Sequence, residues 1–156
     1  MQTEISLSKR IKRHVIAWPQ RFFAASSPGF EKACLQELKK RLPDIQQAKA
    51  EGRKLVMLTA YDYPMGLLAD QAEIDMVLVG DSLGMVLQGH DSTIPVTIEA
   101  MAYHTECVMR ARPNSLVIAD MPFMSHGTPT QALDTAGRLM KEGGAHMVKI
   151  EGGAPQ

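Results

Sequence analysis

The chain has 156 residues, 45% of them hydrophobic and 22% charged, with no net charge at pH 7, an ordinary globular composition that excludes disorder along its whole length. Its apolar runs fall far short of the roughly 20 residues a membrane helix needs, and residues 1–7 lack the apolar stretch of a signal peptide. A cytoplasmic protein without membrane segments is expected, with Cys34 and Cys107, too far apart for a CxxC site, as buried thiols.

The neutral total hides an asymmetry. Residues 1–41 carry nine Lys and Arg against three Glu, a net +6, and the remainder carries eight against fourteen, a net −6. That break places a domain boundary near Leu42, between a basic N-terminal extension, 1–41, and a second part, 42–156. Within the extension, residues 21–25 have the pattern of a strand and 28–41 that of a helix, with Phe30, Ala33, Cys34 and Leu38 on one face. The string FFAASSPGFE at 22–31, followed by QEL at 36–38, resembles the opening of THUMP-containing RNA methyltransferases over about twenty residues. A basic RNA-associated module is one reading of this segment, and an unrelated extension is the other.

From residue 55 onward, short β-rich runs alternate with helical patterns, which predicts βα units around a parallel sheet. The runs are 55–61, 76–81, 115–121 and 147–151, each apolar until its end, as strands covered on both faces are. Between the second and third, Ile98, Met101, Ala102, Thr105 and Val108 form one helical stripe. Before the fourth, Ala132, Leu133, Ala136, Leu139 and Met140 do the same, with Thr128 as N-cap, Pro129 at the first helical position, Gln131 completing a capping box and Gly143-Gly144 at the exit. Four such units fill about half of a (β/α)8 barrel of roughly 250 residues, and a small doubly wound sheet has the same spacing.

Each run ends in polar residues that a buried strand does not need: Thr59-Ala60-Tyr61-Asp62, Gly80-Asp81-Ser82, Ala119-Asp120 and Lys149-Ile150-Glu151. The carboxyl ends of parallel strands share one face, so these clusters converge there. Asp81, Asp120 and Glu151 are hard oxygen donors whose mutual repulsion a cation would relieve, and without His or Cys at the tips the expected cation is Mg²⁺. A lone Asp after a strand also serves as a helix N-cap, and Lys149 could be a plain ion-pair partner. His90, His104, His126 and His146 lack metal-ligand spacing and are expected at the surface or as satisfied core residues.

The same residues carry a resemblance. LTAYDY at 58–63, VGDSLGM at 79–85, GHDSTIPVT at 89–97, YHT at 103–105, ADMPFM at 119–124 and MVKIEGG at 147–153 match ketopantoate hydroxymethyltransferase in order and spacing, over about two thirds of the chain. The resemblance implies a (β/α)8 TIM barrel, here an incomplete half-barrel of about four βα units with an N-terminal extension. It implies transfer of a hydroxymethyl group from the co-substrate 5,10-methylenetetrahydrofolate to 3-methyl-2-oxobutanoate, a 2-oxo acid, giving 2-dehydropantoate. By resemblance Asp81 and Asp120 bind Mg²⁺, Glu151 lies beside the metal, and Ser82 holds the substrate carboxylate with backbone N–H groups. Lys149 then contacts the substrate's oxygen-rich end. The general base implied is a Glu beyond the fourth strand, outside residues 1–156, so binding without turnover is expected. A homo-oligomer is expected too, because four strands cut from a barrel leave open edges. The alternative is an inactive barrel fragment fused to an RNA-associated module.

Overall fold

The computed structural model describes residues 42–152, and expectations for residues 1–41, including the strand, the helix, Cys34 and the RNA-associated reading, lie outside them. Helix α1 (Leu42–Ala50) leads into strand β1 (Met57–Thr59). Then follow α2 (Tyr63–Gln71), β2 (Met76–Val79), the short α3 (Leu83–Val86), α4 (Ile98–Arg110), β3 (Leu116–Asp120), α5 (Pro129–Lys141) and β4 (Met147–Lys149).

The four strands form one parallel sheet in the order β1-β2-β3-β4. A doubly wound sheet reverses its strand order at a switch point, whereas this sheet advances one strand at a time in one direction, as a (β/α)8 barrel does. Ladder pairing is shorter than the apolar runs because the polar tips leave it for loops. Single backbone bonds continue past the ends, from Ala60 N–H to Leu78 C=O (3.1 Å) and from Met121 N–H to Lys149 C=O (3.0 Å).

Register aligns Val77 with Val117 and Val79 with Ala119, and these four are fully buried against the helix layer with Met101, Val108 and Leu139. The buried face of α4 is Met101, Ala102, Thr105 and Val108, in line with the expected stripe. Residues 63–71, not singled out as a helix in the sequence, form α2 because Asp62 caps them, its carboxylate accepting from Met65 N–H at 2.8 Å.

Three expectations need correction. In α5 the buried residues are Thr135 and Leu139, while Leu133 and Met140 are 75% and 47% exposed. The buried line runs through positions 132, 135, 136 and 139, and Thr135 belongs to it because its hydroxyl donates to Ser125 C=O at 2.6 Å. Leu133 and Met140 lie beside that line, where no described element covers them. Second, Thr128 Oγ1 accepts from Gln131 N–H at 3.2 Å, but the Gln131 side chain meets the Thr128 hydroxyl (3.3 Å), so only half of the capping box forms. Third, Cys107 is half-buried. Among the described residues no helix is long and apolar enough to cross a membrane.

Candidate active site

The strand register brings the polar tips together. Lys149 is the direct neighbour of Asp120 across the β3–β4 ladder, so both side chains leave the same face of the sheet. Lys149 Nζ lies 2.9 Å from Asp120 Oδ1 and donates to Oδ2 at 3.0 Å. Oδ1 is out of line for a hydrogen bond and is otherwise buried without a partner. The Asp120 side chain is 8% exposed and that of Lys149 40%.

Gly80 ends β2 one strand over. A Cβ at Gly80 would stand 2.8 Å from Ser82 Oγ, where the hydroxyl would have to shift, and 3.5 Å from Asp120 Oδ2, an ordinary contact, so the turn lies close to the carboxylate. The Asp81 charge is near enough to act on the Asp120 carboxylate. Burial drives the Asp120 carboxyl above the usual carboxylate range, the Lys149 contacts oppose it, and the Asp81 charge adds to the rise. For Lys149, burial works to lower the pKa but is outweighed by the Asp120 hydrogen bond and charge and by Glu151, so its ammonium is held above the usual value. Asp120 is therefore a carboxylate short of positive charge, with Lys149 as its partial neutraliser.

Glu151 stands apart from the carboxylate pair. It is turned outward, its side chain 80% exposed, and reaches Lys149 at 3.5 Å. Among the described residues no three His, Cys, Asp or Glu side chains group closely enough to hold one ion. Asp81 and Asp120 suit a cation that needs only one or two carboxylates and keeps much of its water, which is the habit of Mg²⁺. Asp120 Oδ1, which has the 2.9 Å ion-pair contact with Lys149 but no hydrogen bond, is the atom such an ion would engage.

Asp62 is a helix cap, as a lone Asp after a strand can be. His104 Nδ1 contacts Tyr61 C=O at 2.8 Å, and His146 Nδ1 accepts from Val117 N–H at 3.0 Å, so both are satisfied structural histidines. Sequence reasoning gave no role to Tyr61, whose hydroxyl meets Ser82 Oγ at 2.9 Å. The signal was present: a Tyr at a strand tip brings an aromatic body to the core and a hydroxyl to the polar face.

The family model for ketopantoate hydroxymethyltransferase matches residues 39–156. The chain belongs to the ketopantoate hydroxymethyltransferase family. It is 59% identical over 112 residues to 3-methyl-2-oxobutanoate hydroxymethyltransferase of Alkalilimnicola ehrlichii, covering 72% of this chain and 40% of that protein. It is 60% identical over 108 residues to the Halorhodospira halophila enzyme of the same name, covering 69% of this chain and 39% of that protein. The chain thus spans about two fifths of the length of these curated relatives. Its fold matches 2,3-dimethylmalate lyase, a PEP mutase/isocitrate lyase superfamily member, with a TM-score of 0.54 at 19% identity, over 69% of this chain and 37% of that one. Among the described residues, three βα units and a fourth strand of a barrel architecture are therefore present.

Proposed function

We propose that residues 42–156 carry the metal-binding and substrate-carboxylate part of a cytoplasmic 3-methyl-2-oxobutanoate hydroxymethyltransferase, behind an extension at residues 1–41. The reaction is hydroxymethyl transfer from 5,10-methylenetetrahydrofolate to 3-methyl-2-oxobutanoate, giving 2-dehydropantoate. The observation that carries this reading is the buried, under-neutralised Asp120 carboxylate, pressed against the Gly80–Ser82 turn and faced by Lys149, all at family motif positions.

Asp81 and Asp120 would hold Mg²⁺, which when bound supplies Lewis-acid polarisation of the 2-oxo acid. Ser82, in the turn before α3, would offer its hydroxyl and its own backbone N–H to the substrate carboxylate, since the Leu83 and Gly84 N–H groups already donate to the Gly80 and Asp81 carbonyls. Lys149 places positive charge where the keto oxygen gains negative charge as the C3 proton leaves. Ala60, Met121 and Pro122, close in sequence to Tyr61 and Asp120, are buried. Asp120 is paired with Lys149 and Glu151 is turned outward, so neither is placed as the base for the C3 proton.

Calorimetric titration of the 156-residue chain tests the reading. 3-Methyl-2-oxobutanoate is expected to bind only when Mg²⁺ is present, with exchange of its C3 hydrogen at background. Equal binding with and without the ion, or none with it, would sink the assignment.

Assembly follows from the sheet edges. Among the described strands, β1 and β4 each pair on one side only. Val56, Met57 and Leu58 at one edge are 51%, 47% and 50% exposed, and Ile150 at the other is 56% exposed. Unpaired strand edges beside apolar side chains recruit further strands, so copies of the chain self-associate edge to edge at micromolar concentration. Sedimentation velocity checks this, and a single monomeric species with cooperative thermal unfolding would contradict it.

A further inference from the structure

We propose that Tyr61 is a positioning residue that aims the Ser82 hydroxyl proton at the substrate carboxylate, an inference that rests on the reading of Ser82 as a carboxylate-holding group. Ser82 occupies the N-cap position of α3, yet its side chain makes no capping bond to the helix. Ser82 has helical dihedrals (φ −53°, ψ −15°), and the Gly84 and Met85 N–H groups already donate to the Asp81 and Ser82 carbonyls, so no N–H of the first turn awaits its hydroxyl. Here it meets the Tyr61 hydroxyl at 2.9 Å instead. A Cβ at Gly80 would lie 2.8 Å from Ser82 Oγ, so the hydroxyl sits close between the Gly80 backbone and the Tyr61 ring.

Tyr61 is itself held from two sides. Its ring is buried, 4% exposed, just beyond β1. His104 on α4 contacts its carbonyl oxygen through Nδ1 at 2.8 Å. A carbonyl only accepts, so Nδ1 carries the proton and the tautomer of His104 is fixed. The result is a chain of contacts from α4 through the end of β1 to the turn after β2.

Direction follows from hydroxyl chemistry. Each hydroxyl has one proton, so Ser82 can donate to a ligand oxygen only if Tyr61 is the donor between them. Tyr61 then takes up one Ser82 lone pair and leaves the serine proton pointing away from the ring, toward the cleft that Asp120 and Lys149 line. Without the phenol, the Ser82 hydroxyl rotates freely and its proton is no longer aimed.

The test uses Tyr61→Phe, Ser82→Ala and the double variant, with Mg²⁺ alone and then 3-methyl-2-oxobutanoate at saturating Mg²⁺ titrated into the full chain. Tyr61→Phe is expected to weaken oxo-acid binding about three- to tenfold, the worth of one hydrogen bond, with Mg²⁺ affinity and melting temperature unchanged. Adding it to Ser82→Ala should cost nothing further, because the phenol acts through the serine. Unchanged oxo-acid affinity in Tyr61→Phe, or an additive double variant, overturns the proposal. So does a parallel loss of Mg²⁺ affinity and thermal stability, the mark of a merely structural residue. Failure of the underlying reading is distinguishable, since then the wild-type chain does not bind the oxo acid or Ser82→Ala leaves its affinity intact, and the proposal falls with it.

Discussion

Replacing Asp120 by asparagine is expected to weaken Mg²⁺ binding about a hundredfold or more, since loss of a direct ligand costs no less than loss of its supporting partner. Stability should change by less than about 1 kcal/mol. The two effects separate because the carboxylate is costly to bury, as its raised pKa records, while its ion pair is with a Lys149 side chain that is 40% exposed. Asparagine keeps the shape beside Gly80, removes the disfavoured charge, and lets the ammonium turn to water and Glu151. Calorimetry with Mg²⁺ and urea unfolding of the same sample read the two quantities. Unchanged Mg²⁺ affinity in this variant would remove Asp120 from the site.

The second large effect lies in the core. Leu139→Ala is expected to cost about 2–5 kcal/mol, because Leu139 is fully buried among side chains from the helix layer and the sheet, and truncation leaves a cavity there. In a unit of this size that loss is about a third of a typical stability of about 5–15 kcal/mol. Leu133→Ala, six residues earlier on α5, should change stability by less than about 0.5 kcal/mol in the dilute monomer, since Leu133 is 75% exposed. Denaturant midpoints of the two variants give the comparison directly. Equal losses would mean that the helix packs in a different rotation.

That pair of leucines shows where sequence periodicity runs out. Spacing located α5, its Thr128 cap and its Gly exit, but spacing cannot weigh a threonine against a leucine. Thr135 is inside because a backbone carbonyl is there to receive its hydroxyl, and that carbonyl belongs to a loop ten residues away. The four strands were legible as short apolar runs, although the burial on both faces that such runs suggest is approached only by β2 and β3, while β1 is exposed and β4 partly buried. Their order around the sheet was not legible, since it depends on which crossovers lie side by side.

The candidate site divides the same way. The acidic tips at Asp81 and Asp120 stood out because buried strands have no use for them, and the motifs around them carried the family. The pairing of Lys149 with Asp120 needed the β3–β4 register, which no local pattern contains. Asp62 and Asp81 look alike in sequence, each an Asp just past an apolar run. Only the local turn decides that Asp62 caps a helix while Asp81 sits beside another carboxylate.

The central claim is that one divalent ion is shared by Asp81 and Asp120 at the ends of β2 and β3, in front of Lys149. Paramagnetic Mn²⁺, added in trace amount to ¹⁵N-labelled chain, tests this most directly. The expected result is selective broadening of amide signals from residues 80–83, 119–121 and 149–151, reversed by excess Mg²⁺ and absent in Asp120→Asn. Broadening centred on the exposed Glu99 and Glu142, which flank Arg138, or persisting unchanged in Asp120→Asn, would contradict it.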